Sequence, residues 1–309
     1  MYILVTGGCG FIGSHLCKLL IETGNNVICL DNLYTGDISN ISCLLEHPNF
    51  SFIEHNIENC IDIKADLIYH LACPASPKYY QKTPIDTLKT NFLGTMNVLE
   101  LAKKYNSKVL LASTSEIYGD PLEHPQKETY NGNVNPNGIR SCYDEGKRIS
   151  ETLCCEYNRQ YGVNIQIARI FNTYGPYMNI EDGRVFCNFL VQALKNEDIT
   201  IYGNGSQTRS LCYIDDLVDG LVKLMNLNKF YGPINLGNED ENTIYNIANI
   251  IKDKVNSKSK IIYKSLPEDD PKKRCPDIGL AKSKLSWEPK IKLDDGISKS
   301  LSWFRNKIK

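Results

Sequence analysis

A run of glycines near residue 10 constrains this chain more than any other feature. Gly7-Gly8-Cys9-Gly10-Phe11-Ile12-Gly13 follows directly on the apolar stretch Tyr2 to Thr6 and opens a segment with helical periodicity, Phe11 to Glu22. Glycines at 7, 10 and 13 permit a tight turn, close approach of backbone to a ligand, and close packing of helix on strand. The helix N-terminus then offers unpaired N–H groups and partial positive charge to an anion. A second apolar stretch, Asn26 to Leu30, runs into Asp31. A carboxylate at that strand end accepts hydrogen bonds from the ribose hydroxyls of an adenine dinucleotide and repels a 2′-phosphate. Strand, glycine turn, helix and acid together predict a nicotinamide dinucleotide site that takes NAD in preference to NADP.

The same alternation continues. Phe50 to Glu54, Asp66 to Ala72, Lys108 to Ser113 and Asn164 to Ile170 are short apolar runs bounded by polar or glycine signals. Pro84 to Tyr105 and Ser141 to Tyr161 carry helical spacing between them. Strands alternating with helices imply an α/β fold, a doubly wound parallel sheet of the Rossmann type. After Asn172 glycines and prolines break the rhythm, and helical stretches recur near Arg184 to Lys195, Asp215 to Asn226 and Thr243 to Lys254. We therefore expect residues 1–171 to form the dinucleotide-binding domain and residues 172–309 mainly a smaller α+β lobe for the substrate.

Composition removes several alternatives. The net charge of −1 gives no global field for nucleic acid or an anionic membrane, so any anionic ligand must be held by local cations. Twelve cysteines are scattered without a C-x-x-C pair, and the five histidines are isolated, which argues for reduced thiols and no metal site. No apolar run approaches the roughly 18 residues of a membrane span, and no leader pattern precedes the first strand, so a cytoplasmic protein is the expectation.

Tyr143 and Lys147 form Y-x-x-x-K within a helical stretch, and the i, i+4 spacing puts both on one face. A lysine ammonium beside a phenol, with the positive charge of an oxidised nicotinamide, lowers a pKa that starts near 10. The tyrosine then serves as a base that takes a hydroxyl proton while hydride leaves for the cofactor. Ser113-Thr114-Ser115-Glu116 ends the fifth strand, where such a sheet binds ligands. Thr114 can hold the reacting hydroxyl and Glu116 can face a sugar.

Longer stretches carry a more specific signal. HLACPASPKYY from His70, TLKTNFLGTMNVLELAK from Thr87, STSEIYGDPLEHPQKETY from Ser113, RSCYDEGKR from Arg140, ARIFNTYGP from Ala168, YGNGSQTRS from Tyr202 and DDPKKRCPDIGLAK from Asp269 span most of the chain. With them the chain resembles the UDP-glucuronate decarboxylases (UDP-xylose synthases), a branch of the extended short-chain dehydrogenases/reductases. The resemblance implies a closed redox cycle on tightly bound NAD. The sugar is oxidised at C4, the resulting ketone takes up the charge left by loss of carbon dioxide, and protonation at C5 with return of hydride to C4 gives UDP-xylose.

It also implies roles. Lys147 supports Tyr143, Thr114 orients the sugar, and Glu116 and Arg274 act around the carboxylate and ring. Asn172, Gln207 and Arg209 are expected to contact the nucleotide and diphosphate, with Arg184, Tyr202 and Lys89 as further substrate positions. Around the cofactor, Gly7, Gly10, Phe11, Ile12 and Gly13 are joined by Asp31, Asn32, Tyr34, Thr35 and Gly36. Asn56, Ile57, Leu71, Ala72, Cys73, Thr90 and Asn91 complete that set. The chain departs from the family pattern at Asn56, usually an aspartate, and at Asn131 and Asn137, usually a tryptophan and an aliphatic residue. Tyr177 stands in place of an arginine and Leu211-Cys212 in place of Phe-Gln. None of these touches Tyr143, Lys147, Thr114 or Glu116.

Rival readings share the scaffold. A 4,6-dehydratase places an acid where Ser115 stands, and a 4-epimerase has no need of Glu116. A decarboxylase that stops at the 4-keto pentose and releases reduced cofactor is the rival hardest to set apart on these residues, though the synthase is favoured over it. An NAD-sensing regulator without turnover has no use for the Tyr143, Lys147, Thr114 and Glu116 set. The resemblance further implies a homodimer, in which the stretches Thr87 to Tyr105 and Ser141 to Tyr161 pair across a two-fold axis as a four-helix bundle. Phe92, Met96, Leu99, Leu153 and Cys154 are its candidate apolar positions.

Overall fold

In the computed structural model, which describes residues 1–265 and 273–308, all six expected early strands form. They are β1 (Tyr2–Thr6), β2 (Asn26–Asp31), β3 (Phe50–Glu54), β4 (Leu67–His70), β5 (Lys108–Thr114) and β6 (Ile165–Ile170). Every neighbouring pair is parallel, in the order β6-β5-β4-β1-β2-β3. The chain adds strands outward from β1 to β3 and then returns to place β4 on the other side of β1. That reversal opens a crevice at the carboxyl ends of β1 and β4, where such sheets bind ligands. Helices cover both faces, so β5 is buried at all seven positions and reads as a continuous apolar run.

A seventh strand, Pro233–Leu236, pairs in parallel with β6 at the sheet edge. The helix before it, Ile214–Asn226, packs on the Phe11–Glu22 helix and on β6. The expected division at residue 171 is thus crossed: the chain leaves the sheet after β6 and comes back to finish it. A four-residue strand has too little periodicity to declare which sheet it joins.

The rest of the second half makes small sheets. Ile199–Tyr202 pairs with Ile261–Lys264, and Thr208–Ser210 lies between Glu241–Thr243 and Lys273–Arg274. The register of this last sheet sets Arg274 opposite Arg209, although 65 positions separate them in sequence. Residues 269–272, which begin the last stretch of the resemblance, lie outside the described residues.

The helix expected over Pro84 to Tyr105 is not continuous. Pro84–Lys89 is α-helical, Thr90–Gly94 is a π turn, and Thr95–Tyr105 is α-helical again. The extra residue in the turn lets Asn91 point inward, where its amide donates to the Thr87 carbonyl at 2.9 Å. The next residues then run against Ser141–Tyr161: Thr95 donates to Ser150 at 3.1 Å, and Ser150 to the Asn91 carbonyl at 2.9 Å. Such polar bridges have no apolar period to announce them. Two further helices, Gly279–Leu285 and Leu293–Ile308, close the fold, with Trp287 fully buried between them and its indole N–H on the Asp216 carbonyl at 2.9 Å.

The twelve cysteines are all free, and eight are buried as small apolar groups. Among the described residues, no helix is long and apolar enough to cross a membrane.

Candidate active site

One cleft of about 850 Å³ runs across the carboxyl ends of the strands, from the glycine loop to the small sheet that carries Arg209 and Arg274.

Its first half is built by the glycine turn. The Gly7 N–H donates to the Leu30 carbonyl at 2.8 Å, which ties the turn to β2, and Gly7 sits at φ +72. A Cβ there would meet the Ala72 backbone nitrogen at 2.8 Å, and one on Gly13 would collide with the Gly7 carbonyl. These glycines are therefore demanded by backbone packing as well as by a ligand. Asp31 is buried and fixed from both sides: Cys9 N–H donates to Oδ2 and Leu33 N–H to Oδ1, each at 2.9 Å. Burial raises its pKa and the backbone N–H bonds oppose that, leaving it above the ordinary aspartate value. Gly36 is small because a Cβ would stand 2.9 Å from the Asp31 carboxylate. Gly7, Gly10, Phe11, Ile12, Gly13, Asp31, Asn32, Tyr34 and Thr35 all line this half, joined by Ile57, Leu71, Ala72, Cys73 and Thr90. A backbone cradle closed to side chains, beside an oriented carboxylate, fits an adenine dinucleotide.

The second half is the chemical one. Lys147 and Tyr143 are buried one helical turn apart on Ser141–Tyr161, and the Lys147 ammonium donates to the Ala112 carbonyl at 3.0 Å. Tyr143 stacks on Tyr80 with ring centroids 4.9 Å apart and planes 8° from parallel. Burial holds the Tyr143 hydroxyl well above its ordinary pKa and the Cys73 thiol adds to this, while a hydrogen bond with Thr114 and the Arg184 charge oppose it. The chain's own groups thus keep Tyr143 a neutral phenol. The lowering expected from Lys147 is not achieved by the protein alone.

Thr114 ends β5, and its hydroxyl accepts from the Glu116 N–H at 3.2 Å, which starts the short turn Ser115–Tyr118 and aims Glu116 into the cleft. There Glu116 meets two arginines: Arg140 Nη2 at 2.6 Å and Arg274 Nη2 at 3.2 Å, both on Oε2. Arg274 is 1% exposed and also binds the carbonyls of Ser115 and Gly119. Burial raises the Glu116 pKa, but Arg274 and Arg140 outweigh it and hold the carboxyl below its usual range. Asp144, next to Tyr143, is pushed the other way by burial and by the Glu116 charge. Of the two carboxyls, Glu116 carries the charge.

Asn172, Arg184, Tyr202, Gln207, Arg209 and Arg274 all line this second half. Three other expected positions do not line the cleft. Lys89 is exposed, 4.0 Å from Asp86 on its own helix, and does not reach the cleft. Asn91 is buried behind it on the Thr87 carbonyl and against Gly146. Asn56 turns its side chain back to its own chain, accepting from the Glu58 N–H at 3.0 Å. In each case the neighbouring residue that does face the cleft, Thr90 or Ile57, is one helical or loop step away. Among the lining residues that were not expected, Arg140 and Tyr80 stand at the chemical end. Arg140 stands three positions before Tyr143, the spacing that shares a helical face, so a signal for it existed. Tyr80, in the four-residue helix Pro77–Tyr80, had none.

With this geometry in view, residues 3–248 match the family model described as the NAD dependent epimerase/dehydratase family. UDP-glucuronic acid decarboxylase 1 of Arabidopsis thaliana is 53% identical over 99% of this chain and 70% of its own length. The protein of that name from Xenopus tropicalis is 51% identical, over 99% of this chain and 72% of its length. Among solved structures, a UDP-glucuronic acid 4-epimerase of Bacillus cereus, with UDP-glucuronic acid and NAD, superposes with a TM-score of 0.88. It is 28% identical, over 99% of this chain and all of its own. The chain belongs to the NAD-dependent epimerase/dehydratase family and, within it, to the UDP-glucuronic acid decarboxylases.

Proposed function

We propose that this enzyme converts UDP-glucuronate to UDP-xylose and carbon dioxide. The observation that carries the reading is the Glu116 carboxylate set between Arg140 and Arg274, beside Thr114 and Tyr143. Two guanidinium groups, Arg274 buried and Arg140 half-buried, that already hold one carboxylate are suited to recognise the carboxylate of a uronic acid. Bound NAD supplies the hydride acceptor and the positive charge that favours Tyr143 phenolate. Tyr143 takes the C4 hydroxyl proton, with Thr114 orienting that hydroxyl and Lys147 stabilising the phenolate. The C4 ketone then lies β to the carboxylate, so the electrons released with carbon dioxide are taken up as an enolate. Glu116, held ionised, faces the departing carboxylate with like charge, which its loss relieves. A proton delivered from solvent to C5 converts the enolate back to the ketone, and Tyr143 returns its own proton to the C4 oxygen as that ketone is reduced. A single cofactor thus serves every turnover without leaving, and tight retention of NAD is part of the proposal.

Arg209, Gln207 and Asn172 supply the contacts for the uridine diphosphate. The test is to incubate the purified protein with UDP-glucuronate and identify the product. UDP-xylose with one equivalent of carbon dioxide supports the reading. UDP-galacturonate would make the protein an epimerase, and a 4-keto pentose with stoichiometric NADH would make it the keto-releasing type.

The working form is proposed to be a homodimer through the Pro84–Tyr105 and Ser141–Tyr161 surfaces. Ile85, Leu88 and Phe92 stand exposed at helical spacing, with Ile149 exposed on the second helix. Met96 and Leu153 are half-buried beside them, whereas Leu99 and Cys154 are fully buried inside the subunit and unavailable to a partner.

A further inference from the structure

The structure assigns Lys307, on the last turn of the C-terminal helix, as the cation that meets the dinucleotide's diphosphate at the glycine-loop end of the cleft. This inference rests on the NAD-binding reading of that half. Six Lys or Arg side chains line the cleft among the described residues: Arg140, Lys147, Arg184, Arg209, Arg274 and Lys307. Five of them belong to the chemical end. Arg140 and Arg274 hold Glu116, Lys147 holds the Ala112 carbonyl, the Arg184 charge acts on Tyr143, and Arg209 lies in register with Arg274. The glycine loop offers backbone N–H groups and a helix terminus to a doubly charged diphosphate, but no side-chain cation of its own.

Lys307 fills that place from the far end of the sequence. Its ammonium lies 3.3 Å from Asp37 Oδ2 and 3.3 Å from Ser39 Oγ. The Asp37 N–H in turn donates to the Cys9 carbonyl within the glycine loop at 3.1 Å. An aromatic chain fixes the helix that carries it: Trp303, one turn before Lys307, meets Tyr177 edge-on at 5.8 Å. Tyr177 packs on His15 at 5.0 Å, and His15 on Phe11, the first residue of the helix after the glycine loop, at 5.9 Å. His15 also donates from Nε2 to the Pro176 carbonyl at 3.0 Å. Trp303, Tyr177 and Phe11 all line the cleft, so this relay is its outer wall. Tyr177, where the resembling family carries an arginine, contributes no charge. The Asp37 carboxylate thus holds Lys307 at the rim, and a diphosphate on the glycine loop offers it a stronger anion within the swing of a flexible side chain.

Isothermal titration of cofactor-free protein with NAD, ADP and adenosine tests this. Lys307→Met is expected to weaken NAD and ADP by about 5- to 10-fold, the scale of one partly exposed charged contact, and to leave adenosine unchanged. Lys307→Arg should restore most of the loss, and the wild-type affinity for ADP should fall more steeply with salt than that of Lys307→Met. Unchanged NAD and ADP binding in Lys307→Met overturns the assignment, as does an equal loss for adenosine, which would make the C-terminal helix a clamp rather than a phosphate ligand. A wild-type protein that binds NAD and forms UDP-xylose while Lys307→Met binds normally sinks this inference alone. A wild-type protein that binds no NAD sinks the cofactor reading with it.

Discussion

At Tyr143 and Glu116 the two halves of the proposed reaction separate. Tyr143→Phe removes the group that takes the C4 proton, so neither enzyme-bound NADH nor carbon dioxide should form above about 10⁻² to 10⁻⁴ of the parent rate. Decarboxylation near the parent rate would refute the scheme, because the carboxylate has no electron sink until C4 is a ketone. Glu116→Gln should behave differently. It removes the anion that occupies Arg140 and Arg274, so UDP-glucuronate should bind about 10-fold more tightly while UDP-xylose, which lacks the carboxylate, binds as before. Turnover should fall, with NADH accumulating ahead of carbon dioxide in a rapid-mixing experiment. Equal affinity changes for both nucleotide sugars would show that the arginines do not read the carboxylate.

Between residue and fold, His70 ties three elements together. From the end of β4 its Nδ1 meets the Thr6 hydroxyl of β1 at 2.8 Å, and its Nε2 meets Thr95 of the neighbouring helix at 3.2 Å. Burial, with the Lys147 charge adding, lowers its pKa to about 3. The neutral ring is thus the native form, and its contribution is complete above the unfolded value near 6.5. It is lost as pH falls from there toward 3. At pH 4.5 the loss amounts to about 2–3 kcal/mol. His70→Asn keeps a polar group but cannot titrate, so chemical denaturation at pH 7 and 4.5 should show a shallower decline by roughly that amount. An unchanged slope would mean that His70 protonates without cost.

For the whole molecule, the exposed apolar row Ile85, Leu88 and Phe92 is the surface on which the proposed assembly depends. Phe92→Glu places a charge at the centre of the proposed contact, which should weaken a dimer by about 100-fold or more. Light scattering at micromolar concentration should then find a dimer for the parent and a monomer for the variant. A monomeric parent would end the proposal. The single chain contains the whole seven-stranded sheet, including Pro233–Leu236. Separating the chain at residue 171 would strip that edge strand from β6 and should not yield a stable dinucleotide-binding fragment.

Local chemistry was legible without coordinates. The glycine turn, Asp31, the Tyr143–Lys147 pair and the six strands β1 to β6 each declare themselves through spacing along one element, because a turn or a helix face is decided by residues a few positions apart. Arg140, three positions before Tyr143, lies within the same local reach. What only the tertiary structure decided involves distant segments. The register that sets Arg274 beside Arg209, the meeting of Arg274 with Glu116, and the return of Pro233–Leu236 to the sheet depend on how elements stack. So does the inward turn of Asn91 at the π turn, and so does the arrival of Lys307 at Asp37. These positions carry no periodic signal, since their partners lie up to 270 residues away in the chain and are chosen by burial and charge in the folded state.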